Sequence, residues 1–205
     1  MALYTFLLMI CYNLPMSNIK AIFFDFHGVL IQSKPRYSSS ELEKHIYKQL
    51  GSSLDEKRDI EAILKELNWK EDKFWKYIYK SWGGVLPNIQ LIGWIKAIKD
   101  QGYKIGMISN TSGMIFRKYQ EDFFGINLED LFDEIIISSE VKQLKPDKGI
   151  YETALKRINV KPTEAIMIDD SEKNLDGASR LGIHTICFEN NELLKKDLSK
   201  LGVNL

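Results

Sequence analysis

The stretch that decides the fold is KAIFFDFHGVL, residues 20–30. Its apolar residues, 21–24, run without a break to Asp25, and the stretch turns at Gly28. A short apolar run bounded by glycine is typical of a strand that is buried on both faces, as in a parallel sheet. Because open α/β sheets form their sites at the carboxyl ends of their strands, Asp25 is a candidate site residue. From this stretch alone, a solvated Asp in a turn is the alternative.

After residue 86, the sequence alternates helical and strand patterns. Apolar residues at i, i+3 and i+4 indicate helices, and short apolar runs indicate strands. This alternation predicts an α/β fold, with a doubly wound, Rossmann-like parallel sheet and helices on both of its faces. The predicted strands after the first cover residues 103–108, 134–138, 165–168 and 185–188. The predicted helices include residues 112–120, 148–158 and 172–181, with one helix before them and one after.

Residues 37–86 show only the helical pattern. Three amphipathic helices are predicted there, marked by three apolar sets: Leu42, Ile46 and Leu50; Ile60, Ile63, Leu64 and Leu67; Phe74, Trp75, Ile78 and Trp82. Residues 31–36 are predicted to form a loop into this segment, and Gly83, Gly84 and Pro87 a hinge out of it. The aromatic residues are expected to pack in the core of the segment, since large rings dominate burial.

These patterns predict the domain organisation. Residues 34–86 form an all-helical cap that is inserted into an α/β core of residues 16–33 and 87–205. Residues 1–15, MALYTFLLMICYNLP, are predicted to be an extension outside the fold, and a weak membrane anchor is the alternative. They are shorter than the roughly 20 residues that span a bilayer, and they lack the basic start and the cleavage site of a secretory signal.

The composition limits the classes of partner. The chain has 28 Lys and Arg against 28 Asp and Glu, so its formal net charge is zero. Without a basic block, nucleic-acid binding has no electrostatic support, and a membrane partner is not expected. Cys11 and Cys187 are far apart and form no CxxC motif, so neither a zinc site nor a disulfide framework is indicated. A cytoplasmic location is therefore expected.

Polar residues follow three of the predicted strands. They come in pairs: Asp25 and His27, Ser109 and Asn110, Asp169 and Asp170. Lys145, in the sequence LKPD, comes directly before a predicted helix. Because the carboxyl ends of parallel strands meet at one edge of a sheet, we expect these side chains to lie together. Two adjacent acids at a buried strand end repel each other unless a cation is present, which favours a metal site over a capping role for Asp169 and Asp170.

Four motifs in this order identify a family. The chain resembles the haloacid dehalogenase-like superfamily of phosphohydrolases through DFHGV, ISN, KPD and DDSEKN, and the resemblance covers residues 20–188. The helical segment resembles the small helical cap of the family's first cap class. The resemblance implies a phosphomonoester hydrolase that acts on a small phosphorylated metabolite, with Mg²⁺ as cofactor and an aspartyl-phosphate intermediate.

The resemblance also implies the roles of the motif residues. Asp25 is the nucleophile, which splits one difficult displacement into two easier ones. Magnesium prefers oxygen ligands, and the implied ones are Asp25, Asp169, Asp170 and the backbone carbonyl of His27. Asn174 supports the metal indirectly through these ligands. The residues implied to bind the phosphoryl group are Ser109, Asn110 and Lys145, with the lysine neutralising its charge.

One residue departs from the family's pattern. The family's phosphatases carry a second Asp two residues after the nucleophile, as the acid and base of the reaction, and His27 stands there. Three outcomes stay open: His27 does this work, the phosphoenzyme forms but is hydrolysed slowly, or the site is degenerate and binds a phosphorylated ligand or a protein partner. A working but slow phosphatase is the favoured one, because the other motif residues are kept. Metal-independent dehalogenation of haloacids is disfavoured by the paired acids.

Other polar residues receive structural interpretations. Asp147 is expected to cap the helix that follows it. His45 and His184 have no motif around them and are expected to be structural or exposed. The substrate and the oligomeric state are not visible in the sequence.

Overall fold

A computed structural model describes residues 18–35, 37–51, 55–125 and 127–205. The predicted extension, residues 1–15, lies outside the described residues, as do the first two residues of the predicted core. Within the described ranges, every helix is too short or too polar to cross a membrane.

The centre of the fold is a five-stranded parallel sheet. The described residues form seven strands: β1 Ala21–Phe24, β2 Ile31–Ser33, β3 Val85–Pro87, β4 Lys104–Ser109, β5 Glu134–Ile137, β6 Ala165–Asp169 and β7 His184–Cys187. The sheet has the spatial order β5-β4-β1-β6-β7, and each neighbouring pair is parallel. The strand of the opening stretch, β1, is therefore the central one, with Phe23 between Gly106 and Met167.

Helices connect these strands. They are α1 Glu41–Gly51, α2 Glu56–Glu66, α3 Glu71–Trp82, α4 Ile89–Asp100, α5 Gly113–Tyr119, α6 Leu128–Leu131, α7 Ser138–Val141, α8 Lys148–Ile158, α9 Glu172–Ser179 and α10 Asn191–Lys200. A π-helical segment, Gln120–Phe124, continues α5, and a 3₁₀ turn, Pro162–Glu164, precedes β6. The helices α6 and α7 were not predicted, because four residues are too few to show a helical period.

Side chains of β1 enter two cores, one on each face of the sheet. Ile22 and Phe24 pack in a core with apolar residues of α4 and α10, whereas Ala21 and Phe23 pack in a core with those of α8 and α9. All four side chains are fully buried, and burying a large apolar one contributes about 1.5–3 kcal/mol. The predicted doubly wound sheet with helices on both faces is confirmed, and burial on both faces explains the unbroken apolar run.

The helices α1 to α3, here called the helical insertion, lie between β2 and β3 in the chain. These two strands pair antiparallel, with Ile31 opposite Pro87 and Ser33 opposite Val85. The prediction of a loop at residues 31–36 and a simple hinge was therefore wrong in part. Strands of three residues are too short to show alternation, and a proline is tolerated in a ribbon of two edge strands. The division into cap and core domains stays a prediction.

Candidate active site

Asp25 lies at the carboxyl end of the central strand. Its backbone N–H donates to the carbonyl of Ile168 at 2.9 Å, which fixes the residue between β1 and β6. Its side chain is buried, and Oδ1 accepts a hydrogen bond from the Phe26 N–H at 2.7 Å. The carboxylate is therefore held in one orientation at the edge of the sheet where the strands end, here called the carboxyl edge.

Lys145 bridges two carboxylates at the carboxyl edge. Its Nζ lies 2.8 Å from Asp25 Oδ1 and 2.6 Å from Asp169 Oδ2, and the residue is 4% exposed. The Asn110 amide fixes the backbone beside it, since Nδ2 donates to the Lys145 carbonyl at 2.9 Å and Oδ1 accepts from the Lys145 N–H at 2.8 Å. The side chain of Asn110, predicted to bind phosphate, thus places the lysine. Sequence reasoning missed this contact, which joins residues far apart in the chain.

The adjacent acids after β6 have different surroundings. Asp169 is fully buried and accepts hydrogen bonds from Lys145, from the Ser171 N–H at 2.9 Å and from Asn174 Nδ2 at 3.1 and 3.2 Å. Asp170 is exposed and lies against Gly28. Gly28 has a φ of +87°, and a Cβ there would overlap the Asp170 carboxylate. The oxygens of Asp169 are thus occupied by protein donors, whereas Asp170 is exposed to solvent.

The charges of this cluster fit a divalent cation. One carboxylate oxygen each of Asp25, Asp169 and Asp170 lies within 4.8 Å of the others. Three carboxylates against the single Lys145 ammonium leave a formal charge of −2. Oxygen donors of this charge suit Mg²⁺. Burial, with a smaller contribution from Asp169, raises the pKa of Asp170.

At Asp25 and at Lys145, burial and the charge of the partner shift the pKa in opposite directions. Burial raises the pKa of the Asp25 carboxyl, and Asp169 adds to this, although the Lys145 ammonium acts in the opposite direction. Desolvation would lower the pKa of Lys145, but the carboxylates of Asp25 and Asp169 outweigh it and raise the pKa. Lys145 therefore stays an ammonium ion at neutral pH.

His27 lies beside the carboxyl edge, facing the helical insertion. Its ring packs edge-on against Phe26 at 5.0 Å between centroids, and the ring of Tyr47 on α1 is 6.4 Å away. Desolvation by the surrounding protein, and then the charge of Lys145, lower the pKa of His27 to about 4. His27 keeps exposed surface, which weakens the desolvation. The imidazole is neutral at pH 7.

Ser109, the last residue of β4, is 1% exposed and enters the turn that leads to α5. The hydroxyl of Ser138, at the end of β5, fixes this turn by accepting from the Thr111 N–H at 3.0 Å and donating to the Thr111 carbonyl at 3.1 Å. A Cβ on Gly51, at the end of α1, would lie 3.3 Å from the Asn110 carbonyl oxygen. The helical insertion therefore reaches the turn that carries Ser109 and Asn110.

The remaining predictions have mixed outcomes. Asp147 stands at the N-cap of α8, but its side chain makes no capping hydrogen bond with the described residues, so the capping prediction was wrong. His45 and His184 are exposed, as expected. In the helical insertion, Phe74 and Trp82 are buried, as expected for core residues.

Comparison with known proteins identifies the family. A sequence profile of the haloacid dehalogenase-like hydrolases matches residues 40–188. The chain belongs to this family. Among curated haloacid dehalogenase-like relatives, the glyceraldehyde 3-phosphate phosphatase of Methanopyrus kandleri is 31% identical over 101 residues. That match covers 49% of this chain and 42% of the relative, less than half the relative's length.

Two further proteins match over most of the chain. The phosphorylated carbohydrates phosphatase of Thermotoga maritima is 24% identical over 190 residues, covering 82% of this chain and 84% of the relative. A haloacid dehalogenase-family enzyme from Bacteroides thetaiotaomicron, solved in complex with magnesium and inorganic phosphate, has a TM-score of 0.69 at 21% identity. That match covers 86% of this chain and 98% of the other, and it establishes a shared fold.

Proposed function

We propose that this haloacid dehalogenase-like protein hydrolyses small phosphomonoesters with the help of Mg²⁺, using Asp25 as nucleophile. The observation that carries the proposal is the arrangement at the carboxyl edge, where Asp25 contacts the Lys145 ammonium and lies within 4.8 Å of two further carboxylates. A buried carboxylate beside a fixed cation is suited to attack a phosphoryl group, since phosphoryl transfer depends on positioning and on charge neutralisation. The relatives named as phosphatases support the same reaction class.

The reaction proceeds in two displacements. An oxygen of Asp25 attacks phosphorus, the bond to the alcohol oxygen breaks, and an aspartyl-phosphate forms. Water then attacks the same phosphorus, the bond to Asp25 breaks, and phosphate leaves. In both steps Lys145 neutralises charge on the phosphoryl oxygens, and Ser109 donates a hydrogen bond to one of them. Asn110 keeps Lys145 in place through its two backbone contacts.

Asp25, Asp170 and the backbone carbonyl of His27 are the residues that would hold Mg²⁺. The ion would neutralise the negative charge of the phosphoryl oxygens. Asp169 holds Lys145 instead, because its oxygens already accept hydrogen bonds from protein donors. Asn174 was expected to support the metal indirectly, and its Nδ2 donates to Asp169, the residue that holds Lys145.

Because His27 is neutral, it can assist the proton transfer from the attacking water but not the proton transfer to the departing alcohol. A neutral imidazole can accept a proton from the attacking water, but it holds no extra proton for the departing alcohol. Esters whose leaving group needs no protonation are therefore expected to react faster than alkyl phosphates. His27→Asp restores a carboxyl group at this position and is expected to raise the rate with alkyl phosphates.

The test compares variants with two classes of ester. Wild-type protein with Mg²⁺ is expected to hydrolyse p-nitrophenyl phosphate faster than glycerol phosphate, and EDTA is expected to stop both reactions. Asp25→Asn removes the nucleophile and is expected to reduce kcat by about 10⁴-fold or more. Asp147→Asn, which changes an exposed acid outside the site, is the matched control and is expected to leave kcat unchanged.

Other results would identify another function. Inert wild type with an active His27→Asp variant indicates a degenerate site that binds a phosphorylated ligand. Turnover of haloacids in EDTA indicates a dehalogenase. If the phosphatase is confirmed, a panel of phosphorylated metabolites gives the substrate, with sugar phosphates and glyceraldehyde 3-phosphate first because relatives carry these names. A cytoplasmic location stays a prediction.

A further inference from the structure

The carboxylate of Glu56, the first residue of α2, extends from the helical insertion to the start of α5. It accepts hydrogen bonds from the backbone N–H groups of Gly113 and Met114, the latter at 3.0 Å. It also accepts one from the hydroxyl of Ser139, which follows β5. One side chain of the helical insertion thus binds three donors of the surrounding fold.

The start of α5 is shaped for this contact. A Cβ at residue 113 would lie 3.0 Å from Glu56 Oε1 and would overlap the carboxylate of Glu140, which pairs with Arg117. Glycine at this position therefore lets two carboxylates approach the same backbone. Any other residue would push at least one of them away.

Two more contacts hold the helical insertion at the other end of α5. The hydroxyl of Tyr79 on α3 donates to Asp122 Oδ2 at 2.5 Å, in the π-helical continuation of α5. The ring of Trp82 packs edge-on against Tyr119 at 5.2 Å between centroids. Glu56 is distinct from both, because its donors lie at the start of α5 and in α7 rather than at the far end of α5.

The donors of Glu56 lie next to the residues proposed to bind phosphate. Ser109 directly precedes the turn of residues 110–113. Asn110, the first residue of this turn, holds the backbone of Lys145. A chain of hydrogen bonds and covalent bonds therefore connects Glu56, through the turn of residues 110–113, to the lysine at the carboxyl edge. The position of the helical insertion and the position of Lys145 are thereby linked.

We propose that Glu56 is a positioning residue, which holds the helical insertion against α5 and fixes the turn of residues 110–113. When the helical insertion moves away, the Met114 N–H loses its Glu56 acceptor and the Gly113 N–H keeps only the Ser139 hydroxyl, at 3.0 Å. The Ser138 contacts then hold the rest of the turn. The effect of Glu56 on turnover rests on the proposed function, whereas its contact with α5 does not.

Hydrogen exchange on the free protein tests the contact without a substrate. In Glu56→Ala, the amides of Gly113 and Met114 are expected to exchange about tenfold faster than in wild type, since each loses a charge-assisted hydrogen bond. Glu56→Asp keeps the charge at the start of α2 but shortens the side chain, so the same increase is expected. Glu61→Gln removes an exposed carboxylate from the same helix and is the matched control, with exchange unchanged.

Kinetics then test the positioning role. Both Glu56 variants are expected to lower kcat/KM for p-nitrophenyl phosphate about tenfold, while the Mg²⁺ concentration for half-maximal activity stays unchanged because the metal-holding residues are untouched. Unchanged exchange in the Glu56 variants overturns the proposal, and so does faster exchange with unchanged kcat/KM. Faster exchange in Glu56→Ala but not in Glu56→Asp also overturns it, because helix charge then explains the effect.

The two proposals fail in distinguishable ways. If wild type shows no phosphatase activity but the Glu56 variants show faster exchange, the proposed function fails and the contact with α5 is supported. If Glu56→Ala does not fold, Ser139→Ala replaces it, since it removes one donor without touching the helical insertion. Because the Ser139 hydroxyl itself accepts from the Gly113 N–H, the readout is Met114, whose N–H donates to Glu56. Exchange at Met114 is expected to rise about threefold, and unchanged exchange there contradicts the proposal.

Discussion

The carboxyl edge and the helical insertion hold their polar groups in opposite ways. At the carboxyl edge, Asp25, Lys145 and Asp169 are less than a tenth exposed, and the Lys145 ammonium lies within 2.8 Å of both carboxylates. The helical insertion reaches the surrounding fold through partly exposed side chains such as Glu56 and Tyr79. Charges interact strongly when buried and weakly in solvent. The polar groups at the carboxyl edge are therefore held more firmly than the polar contacts of the helical insertion.

Among the changes that test this comparison, the largest effect on stability is expected from Lys145→Met. This change leaves the buried Asp25 and Asp169 carboxylates without their shared cation, which is expected to lower the free energy of unfolding by about 3 kcal/mol. Activity is expected to fall about 10²–10³-fold, because the phosphoryl charge is no longer neutralised. Urea unfolding and p-nitrophenyl phosphate turnover measure the two effects. Lys148→Met, which alters an exposed lysine, is the control, and equal effects of both changes would contradict the comparison.

A smaller effect is expected from Asp170→Asn. Mg²⁺ at about 100 times its dissociation constant is expected to add about 2.7 kcal/mol to the free energy of unfolding of wild type. In Asp170→Asn most of this gain is expected to disappear, because one negatively charged ligand is lost. Thermal denaturation with and without Mg²⁺ measures it, with the exposed Asp176→Asn as control. An undiminished gain in Asp170→Asn would remove Asp170 from the metal site.

The smallest effect is expected from Tyr79→Phe. This change deletes the hydroxyl that donates to Asp122 and keeps the ring that packs against Trp82 at 4.9 Å. Because the contact is partly exposed, kcat/KM is expected to stay within about twofold of wild type. Steady-state kinetics of Tyr79→Phe, measured alongside the Glu56 variants, compare the two effects on kcat/KM. A tenfold loss in Tyr79→Phe would show that the helical insertion is held at both ends of α5 with equal strength.

Much of the carboxyl edge was predictable because each residue follows a strand whose burial is visible in the sequence. Asp25, Ser109 and Asp169 stand at the ends of apolar runs, and the parallel sheet brings these ends together. The different surroundings of Asp169 and Asp170 were not predictable, since they depend on which way each side chain points. The placement of Lys145 by Asn110 was hidden for another reason, because it joins residues 35 positions apart.

The helical insertion was predictable only as three helices. Its internal periodicity gives α1 to α3 and their buried faces, because these depend on residues close in sequence. Its contacts with α5 depend on how the helices are placed after folding. Nothing in the sequence around Glu56, a partly exposed glutamate, predicts that it makes such a contact. The pairing of β2 with β3 was missed for a similar reason, since the two strands are short and separated by the whole helical insertion.

The β2–β3 ribbon has a consequence for how this protein can be rebuilt. The chain leaves the α/β part and returns to it side by side, with the Lys34 N–H donating to the Gly84 carbonyl at 2.8 Å. A two-residue turn joining Lys34 to Gly84 would close the ribbon as an ordinary β-hairpin. Such a shortened chain tests modularity directly: retention of a cooperative urea transition would show that the helices are a replaceable attachment, and its loss would show that sheet and helices fold as one unit.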